Sequence, residues 1–130
     1  MNYVTLPDGL NELSQKVITH AYTVHSALGP GLLESTYKEC LFYEIAKGGI
    51  SIVKEKSLPL VYKDIKLDVG YRVDLLIENK LIVEIKSVDL LADIHSAQVL
   101  TYLKLSGCRL GLLLNFNVTH LKSGIRRLIF

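Results

Sequence analysis

Val73-Asp74-Leu75-Leu76-Ile77-Glu78-Asn79-Lys80-Leu81-Ile82-Val83-Glu84-Ile85-Lys86 reads as a β-hairpin with charges set among branched aliphatics. Glu78-Asn79-Lys80 is the turn, and the runs on either side are apolar enough for central strands. Side chains alternate along a strand, which predicts Glu84 and Lys86 on one face and Val83 and Ile85 on the other. The turn folds the Asp74 strand antiparallel beside them, so three ionisable groups are expected on one sheet face. A buried carboxylate is costly unless it is paired or holds a metal. The plain alternative is a Glu84–Lys86 or Asp74–Lys86 ion pair on a wet face.

Upstream, residues 65–77 alternate well enough for one strand, interrupted by Asp68, Gly70 and Arg72. Residues 51–53 and 58–62 are shorter apolar, β-branched runs, the second followed by a Lys63-Asp64 turn. Earlier still, Leu10, Leu13, Val17, Ala21, Val24 and Leu28 recur at helical spacing, with Asp8 as the expected N-cap and Glu12 in the first turn. Gly29-Pro30-Gly31 ends that helix, and a second is predicted over 33–47, with Glu34 in its first turn and Gly48-Gly49 at its end.

Downstream, a helix is expected over 93–105, closed by Gly107 and carrying His95, Gln98 and Tyr102 along one stripe. Residues 110–116 form a continuous apolar run, as in a strand buried on both faces, and 124–130 suggest a short last strand. The predicted order is α-α-β-β-β-α-β-β. This is an α/β (α+β) chain with a mixed β-sheet flanked by helices. One domain over 1–130 is expected, since no linker, repeat or low-complexity stretch divides it.

Composition narrows the classes. The 130 residues are 49% hydrophobic and 22% charged, which argues against disorder. The two cysteines, Cys40 and Cys108, have no Cys or His partner at metal-ligand spacing. That excludes a disulfide scaffold or zinc ribbon and predicts two buried thiols in a reducing cytosol. The longest charge-free run, 17–33, carries His20, Thr23, His25, Ser26 and Pro30, too polar for a membrane span. The first eight residues lack the basic start and apolar core of a signal peptide, so a cytoplasmic location is expected.

Net charge is +2, unevenly placed. Residues 1–93 hold ten basic and thirteen acidic side chains, whereas 94–130 hold Lys104, Arg109, Lys122, Arg126 and Arg127 with no acid. Such a basic end is a candidate phosphate-facing surface. No histidine set has metal-ligand spacing, no serine sits in a nucleophile elbow, and no Gly-rich phosphate loop follows a strand. Two carboxylates also serve glycosidases, but the chain has no Trp for a sugar platform.

An acid on a helix (Glu34), Asp74 on one strand and Glu84-Ile85-Lys86 on the next resemble the PD-(D/E)XK nuclease superfamily. Gln98-Val99-Leu100-Thr101-Tyr102 is similar to the Gln-x-x-x-Tyr motif of its RecB-like branch. Gly31-Leu32-Leu33-Glu34-Ser35-Thr36-Tyr37 resembles the signature of the GxxExxY protein family. The likeness continues through Gly70-Tyr71-Arg72-Val73-Asp74-Leu75-Leu76 and Gly111-Leu112-Leu113-Leu114-Asn115-Phe116, spanning about 13–128. Val73 stands where the superfamily's name has proline; that position is no metal ligand.

The resemblance implies a restriction-endonuclease-like core and a Mg²⁺-dependent nuclease, with Mn²⁺ as substitute ion and nucleic acid, DNA in the first place, as substrate. Asp74, Glu84 and the Ile85 backbone carbonyl would ligate the metal, and Glu34 would complete the acidic site. Lys86 would orient or deprotonate the attacking water. Gln98 and Tyr102 would position substrate; Arg72, flanking Asp74, would bind phosphate or balance the acids. His95 is a weaker candidate, and Tyr37 is expected to pack between the helices and steady Glu34. The competing reading is a catalytically silent module on the same fold, binding nucleic acid or a protein. A bare core with so little net charge holds a duplex weakly, so a homodimer or a protein partner is expected.

Overall fold

In the computed structural model residues 5–130 are described; the reading of Met1 to Val4 as free of a signal sequence lies outside them. Helix α1 (Leu10–Leu28) buries Leu10, Val17, Ala21 and Val24 of the predicted stripe, whereas Leu13 is half-buried and Leu28, at the helix end, is exposed. Its N-cap is Gly9 rather than Asp8. Gly9 takes φ 82, a left-handed backbone open to a residue without Cβ, and the Leu10 N–H turns back to the Pro7 carbonyl (3.2 Å).

The Gly29-Pro30-Gly31 corner leads into α2 (Glu34–Lys47), whose N-cap is Leu33. Tyr37, fully buried, closes the corner. Its hydroxyl donates to the Gly29 carbonyl (2.6 Å) and accepts from the Leu32 N–H (3.1 Å), while its ring stacks on Phe116 at 4.6 Å. The direction in which α2 starts, and hence the place of Glu34, is fixed by these contacts.

Strands β1 (Ile52–Ser57), β2 (Leu60–Tyr62), β3 (Ile65–Leu67), β4 (Arg72–Ile77) and β5 (Leu81–Lys86) follow, then α3 (Asp93–Ser106), β6 (Leu110–Asn115), a 3₁₀ turn (Leu121–Gly124) and β7 (Ile125–Ile129). One mixed sheet runs β1-β4-β5-β6-β7. Only β5 and β6 are parallel, because α3 carries the chain back over the sheet between them. The predicted single strand over 65–77 is corrected: Gly70 takes φ 84, and the chain breaks into β3 and β4. Strands β2 and β3 form a separate ribbon that projects with Val61, Tyr62 and Ile65 exposed. Five strands therefore precede α3 rather than three, although three of them enter the sheet.

Two apolar layers hold the helices. Leu75, Ile77, Leu81, Val83, Ile85, Leu110, Leu112 and Leu114 pack against α1 and α2. Ile82, Leu76 and Leu113 pack on the opposite side with Val99, Tyr102 and Leu103 of α3. Every residue of β6 is buried, as its apolar run requires. Of the two expected buried thiols only Cys108 is buried; Cys40 is half-buried. No helix among the described residues is long and apolar enough to cross a membrane.

Candidate active site

Strands β4 and β5 pair from Ile77↔Leu81 to Leu75↔Val83, and there the ladder stops. The next facing residues are Asp74 and Glu84, and their carboxylates take over from the backbone. Glu84 Oε1 accepts the Asp74 N–H, and Asp74 Oδ2 accepts the Ile85 N–H, both at 2.8 Å. Strict alternation fails at the same point, because Val73 joins the layer on the α3 side and Leu75 the layer under α1 and α2. The expected common face for Asp74, Glu84 and Lys86 is thus corrected. Glu84 and Lys86 follow Ile82 toward α3, while Asp74 lines a cleft with residues of α2.

Glu84 is 3% exposed. Burial, and then the facing Asp74 charge, push its carboxyl from the ordinary 4.5 up to about 8. Lys86 pulls the other way without overcoming them. The alternative of a Glu84–Lys86 or Asp74–Lys86 ion pair does not occur: among the described residues, the ion pairs are Lys38–Glu55 and Lys54–Glu39.

Lys86 instead donates from Nζ to Gln98 Oε1 (3.0 Å), and Gln98 Nε2 donates to the Tyr102 hydroxyl (3.1 Å). The i, i+4 spacing on α3 thus orders three polar groups in a row beside the acids. Desolvation, with the Glu84 charge next, raises the Tyr102 hydroxyl above its usual range, so it stays protonated. Packing and clamps set where α3 lies. Gly111 of β6 lets Val99 come close, since a Cβ there would be 2.6 Å from Val99 Cγ1. Arg126 of β7 donates to the Leu91 carbonyl (3.1 Å) and to Ser96 Oγ (2.9 Å). Buried Asn115 accepts the Val88 N–H (3.1 Å) and donates to the Val88 carbonyl (2.9 Å), holding the segment that leads from Lys86 to α3.

The other expected residues stand further out. Glu34 is exposed and accepts the Ser87 N–H at 3.3 Å, so it faces the end of β5 without joining the acid pair. Arg72 is exposed at the start of β4, and its guanidinium has no hydrogen bond or ion pair among the described residues. His95 is spent locally: its Nδ1 accepts the Ala92 N–H (2.9 Å) at the start of α3. Three basic residues of the C-terminal third are also engaged internally, Arg126 as above, Arg109 with the Phe130 carbonyl (2.6 Å) and Arg127 with Asn11. These hydrogen bonds leave the arginines charged, and Arg109 and Arg127 stay exposed, as do Lys104 and Lys122, but the arginine side chains are tied to fixed places.

One cation was not anticipated from the sequence. Lys38, one turn after Glu34, lines a cleft of about 430 Å³ with Leu33, Glu34, Ser35 and Asp74. Its Nζ is 2.9 Å from Glu55 of β1, which lies between Lys54 and Lys56, the partners of Leu75 and Val73 in β4. The i, i+4 step from Glu34 was the one sequence signal for it.

Among the described residues no set of three or more His, Cys, Asp or Glu side chains is arranged to hold a metal ion. The expected trio is brought together only as the facing pair. That pair still suits a hard divalent cation. Asp74 Oδ1 and Glu84 Oε2 accept no hydrogen bond among the described residues, which leaves two hard oxygen donors uncommitted.

Neither the curated proteins nor the solved structures contain a match to this chain. Residues 11–128 match the sequence model of the PD-(D/E)XK nuclease superfamily, over nearly the whole length. The mixed five-stranded sheet between helices is the restriction-endonuclease-like architecture of that group. With family match, fold and acid pair in agreement, this chain belongs to the PD-(D/E)XK nuclease superfamily.

Proposed function

We propose that the chain is a metal-dependent nuclease that hydrolyses phosphodiester bonds in DNA, with Mg²⁺ as its working ion and Mn²⁺ as substitute. The facing Asp74–Glu84 pair carries this reading. Glu84 is buried and pushed up to about 8, while Lys86, two residues further along β5, is held by Gln98. A divalent ion bound by both carboxylates would offset the burial of Glu84 as well as the facing Asp74 charge.

Asp74, Glu84 and the Ile85 carbonyl are the proposed ligands, with Glu34 joining directly or through water. Such an ion lowers the pKa of bound water and polarises a phosphoryl oxygen. Lys86 is the proposed group that orients or deprotonates the attacking water, and Gln98 restrains its Nζ. Tyr102 holds Gln98 in turn. Arg72, exposed and uncommitted, is the proposed contact for substrate phosphate. The Glu34 and Gln98–Tyr102 motifs support assignment to the GxxExxY group and the RecB-like branch. Because the net charge is only +2, a homodimer or a protein partner is proposed to supply the remaining phosphate contacts, in the cytoplasm and with 1–130 acting as one domain.

The test pairs calorimetric titration of Mg²⁺ and Mn²⁺ with cleavage of labelled DNA and RNA strands and duplexes. Binding and cleavage by the wild type, both lost in Asp74→Asn and Glu84→Gln and cleavage alone lost in Lys86→Ala, are the expected results. A folded wild type that binds neither ion, even with an oligonucleotide present, returns the chain to the silent binding module.

A further inference from the structure

Two ion pairs join α2 to β1, and they differ in one respect. Lys54–Glu39 (2.7 Å) lies on the surface, with side chains 41% and 53% exposed. Lys38–Glu55 (2.9 Å) is lopsided: the lysine side chain is 15% exposed and its partner 52%. The lysine side chain therefore lines the cleft wall with Asp74, and its ammonium meets a counter-ion on the open rim.

Glu55 also takes φ 55 in the middle of β1, a left-handed backbone that a residue with a Cβ adopts at a cost. An ion pair half open to water returns little stability. The fold thus gains little from this strained arrangement, whereas the cleft gains a cation at a fixed place. Ser35 lines the same cleft one helical turn before Lys38.

We propose that Lys38, with the Ser35 hydroxyl beside it, is a phosphate subsite for the nucleotide next to the one being cut, and that Glu55 is the counter-ion an incoming phosphate displaces. The proposal rests on the nuclease reading for its substrate. A carboxylate and a phosphodiester oxygen offer a lysine ammonium the same charge-assisted contact. Glu55 thereby keeps the ammonium at the cleft rim in the absence of substrate, and competes with substrate once it arrives.

The experiment measures binding of a short fluorescein-labelled DNA strand by anisotropy, in Ca²⁺ and over a salt series, with thermal unfolding of each variant alongside. Lys38→Gln is expected to weaken binding about 5-fold or more and to reduce the salt slope by about 1, the loss of one phosphate contact. Glu55→Gln is expected to tighten binding by about 2-fold or more, since nothing then competes for the ammonium. Glu39→Gln, on the surface pair, is expected to leave affinity as it was. If Lys38→Gln and Glu55→Gln lower the melting temperature alike and leave affinity and salt slope unchanged, the pair only stitches α2 to β1. If Glu39→Gln tightens binding as much as Glu55→Gln, the effect is bulk charge and the subsite is refuted; a wild type that binds no strand at low salt refutes it as well. A wild type that binds through Lys38 but cuts nothing in Mg²⁺ keeps the subsite and removes the nuclease, whereas one that cuts with Lys38→Gln binding normally does the reverse.

Discussion

Lys86 Nζ lies 3.0 Å from Gln98 Oε1 and forms no ion pair with Asp74 or Glu84. A neutral amide thus restrains the lysine proposed to handle water. Lys86→Ala is expected to lower the cleavage rate by about 10²–10⁴, the usual range for a lost general acid or base, with little change in melting temperature. Gln98→Glu turns the restraint into a charge partner, which favours the protonated ammonium. Its pH–rate profile should shift to higher pH relative to wild type. A profile that superimposes on wild type would mean that Gln98 does not tune Lys86.

Glu84 gives the metal-free protein a pH-dependent stability of definite sign. Its carboxyl is raised from 4.5 to about 8 on folding, so the folded state keeps a proton that the unfolded chain releases. The resulting stability is fully present below the unfolded value, declines as pH rises from there through about 8, and is flat above. In EDTA, wild type is expected to lose more melting temperature across that window than Glu84→Gln, and Mg²⁺ should restore the loss at high pH. Parallel profiles for the two proteins would contradict this.

Asp74→Ala leaves the Ile85 N–H without its acceptor in a half-buried setting. A cost of about 1–3 kcal/mol is expected in denaturant unfolding, as for other orphaned buried donors. Asp74→Asn keeps an acceptor oxygen and should retain most of the stability while losing the divalent ion. Amide exchange at Ile85, fast in the alanine variant and slow in the asparagine variant, reads the difference directly.

Gly111→Ala drives a Cβ to within 2.6 Å of Val99 Cγ1. Overpacking of this kind costs about 1–3 kcal/mol, and here the strain falls on the helix that carries Gln98. Unfolding measurements should show the loss, and the double variant with Val99→Ala should recover at least half of it. No recovery would mean that α3 moves as a body instead of yielding at Val99.

Local signals announced much of this fold. Leu81–Lys86 appears as read, α1 and α2 end at their glycines, and the Glu78-Asn79-Lys80 turn pairs the two strands that matter most. The β2–β3 ribbon was hidden because alternation runs on through 65–77, and only the Gly70 backbone shows where it breaks. Lys38 and Glu55 are 17 residues apart and meet through the docking of α2 on β1, which no periodicity reveals. The arginines of the last third look like unattached side chains in a composition count. Their hydrogen bonds to Leu91, Asn11 and Phe130 depend on where β7 comes to rest. Opposing β strands placed Glu84 across from Asp74; the exchange of backbone amides between them required the strands to part, and that lies beyond a pattern of alternation.

The carboxylates that stand in for missing ladder bonds tie heredity of fold to heredity of chemistry. A descendant that no longer cut phosphodiesters would still rely on Asp74 and Glu84 to finish the join between two central strands. Selection for a folded chain alone would resist their loss, while Lys86, whose contact lies with α3 rather than in that join, would be free to drift. In a set of relatives, the lysine rather than the acids would therefore separate the active enzymes from the retired ones.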